Sequence, residues 1–588
     1  MNQMYDEKIT RRLFFSMVPV QILVVMCGGV NVIIDTAFAG NLIGKSALAA
    51  TGLYGPVSQV LNTINVLLFC GAQVLCGKYL GANTLKRARS IFTLDIVFVS
   101  IIGAIASVLF IFCPTAVTYI CAKPDNPLIP ELIQYLKGIG GGVIPYLLGS
   151  QLTSFLQMEK KEKYGYLSIA AMFITNCVCD YLFIKVFDMG IYGLGLATNV
   201  SNWVSLICAS LYFIFGKASF RIDFKSVNIR DLLDIFKCGF PPAGTQLMIA
   251  LRGFLLNNII MSFAGEDGMA AFSAIGSFGA VYWAVPAGMT SAMVSLASIY
   301  TGEKDKKAVE LLLRIYLRRA VLCVLGASLF LSALSYPLTN MYFHDPSSYV
   351  YKMTLLGFIL FPLSSPASTI IVGMRDLWRC MDYMKAVNVI VVGDGIAAVI
   401  LFSYIFASLW GMPGIWIAQV VGCFSLVGVI YLMACMRQRA LVKDISGLCC
   451  FPEDFGVDDS HRLTISVHSM EEVINISELV MKFCKEQGID NLTSNRAGLC
   501  VEELASNIVK HGFTGKANSV VDISVVKSPE ELIIKFKDNC KLFNPEQIDA
   551  IFVPEDPTRN AGIRIVRKVC KSMEYITLLG LNVLTIKM

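Results

Sequence analysis

Apolar runs of about 20 residues recur along the first 440 positions, and this constrains the chain more than any other feature. Twelve are distinguished, roughly at 13–38, 48–77, 91–120, 132–157, 165–187, 191–215, 240–263, 269–299, 317–341, 353–374, 387–409 and 412–436. Each is long enough to cross about 30 Å of hydrocarbon. Lipid offers the backbone no hydrogen bonds, so such runs fold as helices. The expectation is an all-α membrane bundle of twelve transmembrane helices. Charge marks where it stops. The last 138 residues hold 16 basic and 20 acidic side chains, whereas the first 450 hold only 33 and 23. About a quarter of residues are charged in a soluble domain, so 451–588 reads as soluble. A single soluble enzyme, a disordered protein and a secreted disulfide scaffold are excluded. The net charge of +6 comes from membrane loops and does not argue for nucleic acid. The cysteines, mostly single residues in apolar runs, read as reduced packing residues.

The connecting segments alternate in basic content. One set carries Lys8, Arg11 and Arg12, then Lys78, Lys86, Arg87 and Arg89, and continues so to Arg437 and Arg439. By the positive-inside rule this set and both termini are cytoplasmic. The first run is too long for a cleaved signal peptide. The chain also repeats itself. "GKSALAATG" at 44–52 resembles "GEDGMAAFS" at 265–273, "KYLGANTLKRA" at 78–88 resembles "IYTGEKDKKAV" at 299–309, and "GLGLAT" at 193–198 resembles "GIWIAQ" at 414–419, each offset by 221. Two parallel six-span copies place a substrate site between the halves. The organisation expected is a first lobe at 1–216, an inter-lobe linker at 217–239, a second lobe at 240–438, a linker at 439–460 and a soluble domain at 461–588.

Charge inside a span is costly and is a functional hypothesis by default. Asp35 lies near the outer end of span 1. Asp180 lies about 10 Å before the outer end of span 5, at 1.5 Å per residue. Asn176 sits one turn earlier on the same face, and Thr198 reaches a similar depth in span 6. Two carboxylates, an amide and a hydroxyl are hard oxygen ligands, suited to Na⁺ or to exchangeable protons. Two acids sharing a dry site titrate as a unit. The plainer reading is that each acid only bonds a neighbouring helix or faces interfacial water. Adding 221 gives Leu256, Ala397, Leu401 and Gln419, so the second lobe lacks both acids. Arg252 in span 7 and Asp394 in span 11 either pair across the second lobe or contact substrate.

Two six-span halves, with "VNVIIDTAFAGNLIGKSALAATGL" at 30–53 and "TNCVCDYLFIKVFDMGIYGLGLAT" at 175–198, resemble the multidrug and toxic compound extrusion (MATE) family. The likeness covers about residues 10–438. It implies a bacterial, multi-pass plasma-membrane antiporter: a small organic substrate, cationic ones included, leaves while Na⁺ or H⁺ enters. It also implies that Asp35, Asn176, Asp180 and Thr198 form a cation site in the first lobe.

After 460 the period changes. "HRLTISVH" at 461–468 alternates as a strand. Residues 471–488 and 494–511 read as amphipathic helices. "NSVVDISVVKS", "ELIIKFKDN" and "YITLLGLNVLTIKM" complete a sheet, which makes an α+β sandwich. "VEELASNIVKHG" at 501–512 places Glu503 and Asn507 four apart on one helix face, where they can hold Mg²⁺ and orient a water. With "KDNCKLFNP" and "NAGIRIVRKVCKSMEY", this order resembles the GHKL ATPase fold, most closely the anti-sigma-factor type of serine kinase. The resemblance makes Glu503 the water-activating base, Asn507 the magnesium ligand and Asp538 the adenine contact, with Gly562 in the phosphate turn, and it implies ATP and Mg²⁺ as ligands and a regulatory protein as partner. Two glycines and a threonine expected there are missing: Cys540 stands where Asp-x-Gly is expected after Asp538, Asn560-Ala561-Gly562 where Gly-x-Gly is expected, and Gly580-Leu581 where Gly-Thr is expected. Glycine lets a backbone approach phosphate.

Three functions are in view: a cation-coupled exporter with a regulatory tail, a membrane-anchored signalling kinase, and a flippase for lipid-linked precursors. A mere sensor needs no buried acid pair, and a flippase wants a basic cavity for which Arg252 is the one clear candidate. No Gly-x-x-x-x-Gly-Lys-Ser/Thr loop is present, so ATP is expected to regulate transport and not to power it.

Overall fold

A computed structural model describes residues 7–38, 42–121, 126–216, 218–452, 455–457, 459–513, 520–528, 531–540, 561–578 and 581–588. The first lobe contains α1 (Glu7–Phe38), α2 (Gly55–Gly81), α3 (Leu85–Phe112), α4 (Ile129–Gly140), α5 (Val143–Met158), α6 (Glu162–Val186) and α7 (Gly190–Phe215). The second contains α8 (Asp231–Gly276), α9 (Gly279–Gly302), α10 (Lys306–Ala333), α11 (Tyr349–Cys380), α12 (Met384–Trp410) and α13 (Met412–Gln438). Ten helices among the described residues are long and apolar enough to cross a membrane. The other two expected runs fall on α1 and on the broken pair α4–α5, which are not among those ten.

Backbone geometry carries the repeat spacing. Left-handed or positive φ occurs in pairs at Gly44 and Gly265, Asn83 and Lys304, Lys160 and Asp382, and Gly190 and Gly411. Three pairs are 221 apart and the third is 222 apart. A one-residue slip therefore falls within span 11, and Asn176 and Asp180 map to Ala397 and Leu401 or to Ala398 and Phe402. Neither mapping restores an acid.

The α4–α5 break follows from the glycine run at 140–142. Carbonyls freed there need donors, and α7 supplies them. Asn199 donates to the Gly138 carbonyl at 3.2 Å, Trp203 to Gly141 at 3.0 Å and Asn202 to Gly142 at 3.4 Å. In the second lobe a 3₁₀ turn, Phe361–Ser364, interrupts α11.

The lobes meet along α2 and α9. Near the basic end, a Cβ built on Gly81 would lie 2.0 Å from the Ile299 carbonyl, and one on Gly302 would lie 2.0 Å from the Lys78 carbonyl. Only glycine admits that backbone approach. Deeper along the seam, Gln73 donates to Ser295 at 2.9 Å in a buried bond.

The stretch after α13 is anchored. A short helix, α14 (Ile445–Cys449), packs on the second lobe, and the Trp378 indole donates to the Leu448 carbonyl at 2.9 Å. Trp378 is fully buried. The tail then runs β1 (Arg462–Val467), α15 (Met470–Glu486), α16 (Asn491–Gly512), β2 (Val521–Lys527), β3 (Leu532–Asp538), α17 (Ala561–Val569), β4 (Ser572–Leu578) and β5 (Leu581–Lys587). All pairings are antiparallel in the order β1-β2-β3-β5-β4. Successive side chains alternate faces. Val521, Ile523, Ile534, Phe536, Leu584 and Ile586 face α15 and α16 in one core. The opposite face carries Thr464, Ser524, Lys535, Thr585 and Glu574 in one cross-strand row, and Ser466, Asp522, Lys537, Val583 and Ile576 in the next. Val583 and Ile576 join the hydrophobic core of the bundle.

Candidate functional site

Asp35 near the end of α1, and Asn176 and Asp180 one turn apart on α6, come together inside the first lobe. The Asp35 carboxyl faces the Asp180 carboxyl and the Asn176 amide. Asn176 and Asp180 are completely buried. Helical spacing sets this arrangement: residues i and i+4 share a face, and α6 turns that face toward α1. Asp35 Oδ1, both Asp180 oxygens and both Asn176 polar atoms have no hydrogen-bond partner among the described residues. A buried polar atom left unbonded costs about 1–3 kcal/mol, more when charged. The four oxygens among them form a ligand set that a proton or a small hard cation would complete.

Thr198 does not join them by hydrogen bond. Its hydroxyl donates to the Leu194 carbonyl one turn earlier at 3.3 Å. Tyr135 of α4 is a neighbour: its buried phenol lies within electrostatic reach of both carboxylates, and its ring meets Tyr54 edge-on at 5.3 Å. Nothing in the sequence distinguishes Tyr135 from a packing aromatic. Sequence reasoning also passed over Asp95 of α3. It lies inside the third apolar run, is fully buried, and both its oxygens lack partners among the described residues. Its signal, a lone acid five residues into a span, was available. A third unanticipated feature is a buried amide pair, in which Gln151 donates to Asn65 Oδ1 at 2.9 Å and Asn65 donates to Ser150 at 2.8 Å.

In the second lobe the Arg252 guanidinium donates to the Asp394 backbone carbonyl at 3.0 Å. Asp394 lies in a π-helical turn, Gly393–Ala397. Such a turn frees a carbonyl, and Arg252 occupies it. The recorded bond is therefore to the backbone, while the guanidinium also lies within electrostatic reach of the Asp394 carboxylate.

In the tail, Asp538 ends β3 and is buried. Its Oδ1 accepts from Asn582 Nδ2 at 2.7 Å and from the Cys540 amide at 3.0 Å, and the Tyr575 hydroxyl donates to Asn582 at 2.7 Å. Burial pushes the Asp538 carboxyl above its ordinary range, and the bonds from Asn582 and Cys540 pull it part of the way back. Glu503 and Asn507 share one face of α16, and a Cβ on Gly562 would lie 1.9 Å from Glu503 Oε2, so the carboxylate rests on the first turn of α17. Asn560 lies outside the described residues, as does the segment 541–559. The donor set fits the base end of a nucleotide and one metal ligand.

The MatE family model matches residues 21–182 and 241–393, more than half of the chain. A histidine kinase-like ATPase domain model matches 468–588. The chain is 22% identical over 329 residues to the "Probable multidrug resistance protein NorM" of Photorhabdus laumondii, covering 54% of this chain and 72% of that protein. It is 21% identical over 427 residues to the "Multidrug export protein MepA" of Staphylococcus saprophyticus, covering 70% and 90%. A crystal structure of a MATE in complex with MaL6 superposes with a TM-score of 0.67 at 18% identity, over 75% of this chain and 97% of that one. The outward-facing conformation of a MATE family multidrug resistance transporter does so with a TM-score of 0.67 at 18% identity, over 75% and 96%. This chain is a member of the MatE family of transporters and carries a C-terminal histidine kinase-like ATPase domain.

Proposed function

We propose that this protein is a cation-coupled antiporter that exports small organic compounds by alternating access, with its tail and both termini in the cytoplasm of a bacterial cell. The grouping of Asp35, Asn176 and Asp180 carries the reading. Their unbonded buried oxygens favour uptake of Na⁺ or H⁺, and Tyr135 stands beside them. Filling the site neutralises charge in a dry lobe and changes which tilt of the lobes is stable. Thr198 would enter by turning its hydroxyl from Leu194 to the ion. The relatives' names, multidrug resistance and multidrug export, support organic substrates.

The tail regulates. Asp538 would meet the adenine of ATP, Asn507 would hold Mg²⁺, and Glu503 would orient a water. Membrane vesicles with imposed gradients test the whole reading. Uphill substrate movement should persist without ATP and stop when the Na⁺ and H⁺ gradients are dissipated. Movement that follows ATP and ignores both gradients refutes it.

A further inference from the structure

The outer face of the tail's sheet touches both lobes at once, and at equivalent places. The α2–α3 turn and the α9–α10 turn occupy repeat positions 221 apart, and each contains a left-handed residue, Asn83 or Lys304. Lys535 of β3 donates to the Gly81 carbonyl of the first turn at 3.1 Å, and Asn83 donates to Glu574 of β4 at 2.5 Å. On the second turn, Lys537 of β3 pairs with Glu303 at 2.6 Å, and Arg462 of β1 pairs with Asp305. Two side chains on one strand, Lys535 and Lys537, thus hold opposite halves of the transporter. These contacts are not ornamental surface pairs. Glu303 is 4% exposed and Lys537 18%, in the range where breaking one partner leaves a buried charge. Burial pulls the Lys537 ammonium down, but Glu303, Tyr300 and Asp305 outweigh it and hold the group above its ordinary value. Burial, with Lys537 and Arg462 nearby, holds the Lys535 ammonium below its ordinary value in spite of Glu303 and Asp305.

The turns sit where Gly81 and Gly302 bring the lobes into backbone contact. Rocking motions of the two halves must part this end, and a rigid sheet bonded to both turns opposes the parting. We infer that the docked sheet is an autoinhibitory clamp: it holds the two lobes together at their basic end, and transport requires it to let go. Among the described residues, the recorded side-chain bonds between tail sheet and bundle all come from the opposite face, which leaves the helical face, with Glu503, Asn507 and Asp538, for a ligand or protein partner to act on while the tail is docked. The inference deepens the regulatory reading above and rests on it.

The test uses the full chain in lipid vesicles, with spin labels on unnatural amino acids at the exposed positions 86 and 385, one in each lobe. Lys537→Glu should broaden the inter-lobe distance distribution toward longer values and raise the transport rate at least tenfold. The swapped pair, Lys537→Glu with Glu303→Lys, should restore both. Glu303→Gln alters the turn and leaves the tail sequence intact; it should open the lobes in the same direction, which excludes tail misfolding as the cause. Unchanged distances and rate in Lys537→Glu, or a swap that restores neither, overturn the clamp. If the native chain transports under no gradient, the antiport reading fails, and the distance distributions still decide the clamp.

Discussion

Asp180→Asn gives the sharpest test of the candidate ion site. The substitution keeps the volume of a completely buried side chain and removes its ability to exchange a charge. The contact at stake is the one with the Asp35 carboxyl, which an amide N–H at position 180 can meet as a donor, and a neutral amide is cheaper to bury than a carboxylate. Folding stability should therefore hold or rise. Coupling should not survive. The site contains two carboxylates, so at most two monovalent ions are exchanged per cycle. Each ion crossing a tenfold gradient delivers about 1.4 kcal/mol, the equivalent of a tenfold concentration ratio. A tenfold Na⁺ or H⁺ gradient can thus sustain a substrate ratio of about 10 with one ion and about 100 with two, for an uncharged substrate. In Asp180→Asn the ratio should collapse toward one, while downhill exchange continues. The assay is steady-state substrate distribution in vesicles under a fixed gradient, alongside a thermal melt of the purified protein. A variant that maintains the native ratio shows the acid to be structural and removes the ion site.

Trp378→Ala should cost about 3–5 kcal/mol, the usual loss for truncating a buried Trp, and should free the 445–449 helix; proteolysis within the stretch after α13 would report it, and an unchanged cleavage pattern would contradict the anchoring. Gly302→Val should cost about 1–3 kcal/mol by overpacking, because its Cβ meets the Lys78 backbone, and should lower the melting temperature in detergent; an unchanged melt would mean that the lobes do not close there. Asp538 is held above its ordinary range, so its folded form prefers the proton. Tail stability should rise as pH falls through that raised titration point, and Asp538→Asn should abolish this dependence in hydrogen exchange of the full chain.

The helical bundle was legible because hydropathy and basic-loop alternation are strong signals, and the repeat because turn residues recur at one spacing. Asp35, Asn176 and Asp180 were legible for the same reason: a charge or amide in an apolar run is rare. Thr198 was placed by depth alone, and depth does not show that its hydroxyl is spent on its own helix. Tyr135 was hidden because an aromatic in a span looks the same whether it packs or faces an acid. The backbone end of the Arg252 contact was hidden, because a π-turn that frees a carbonyl leaves no mark in composition. The tail's strands were visible through alternation, with the last run resolving into two strands. What covers the sheet's polar face was not visible. Alternation alone puts Lys535 and Lys537 on that face, and only the tertiary structure sets Gly81 and Glu303 against them.

The short helix stapled by Trp378 fixes more than a linker. Only residues 450–461 lie between it and β1, and a tether that short keeps the sheet near its turns at a millimolar effective concentration. Detachment is then a brief local lifting followed by recapture, never escape. A soluble competitor present at micromolar levels must bind its face of the tail about a thousandfold more tightly than the turns do, or else change the shape of the sheet's edge. The lever that frees the lobes is thus better pulled through the domain's own interior than by outbidding it from bulk solvent.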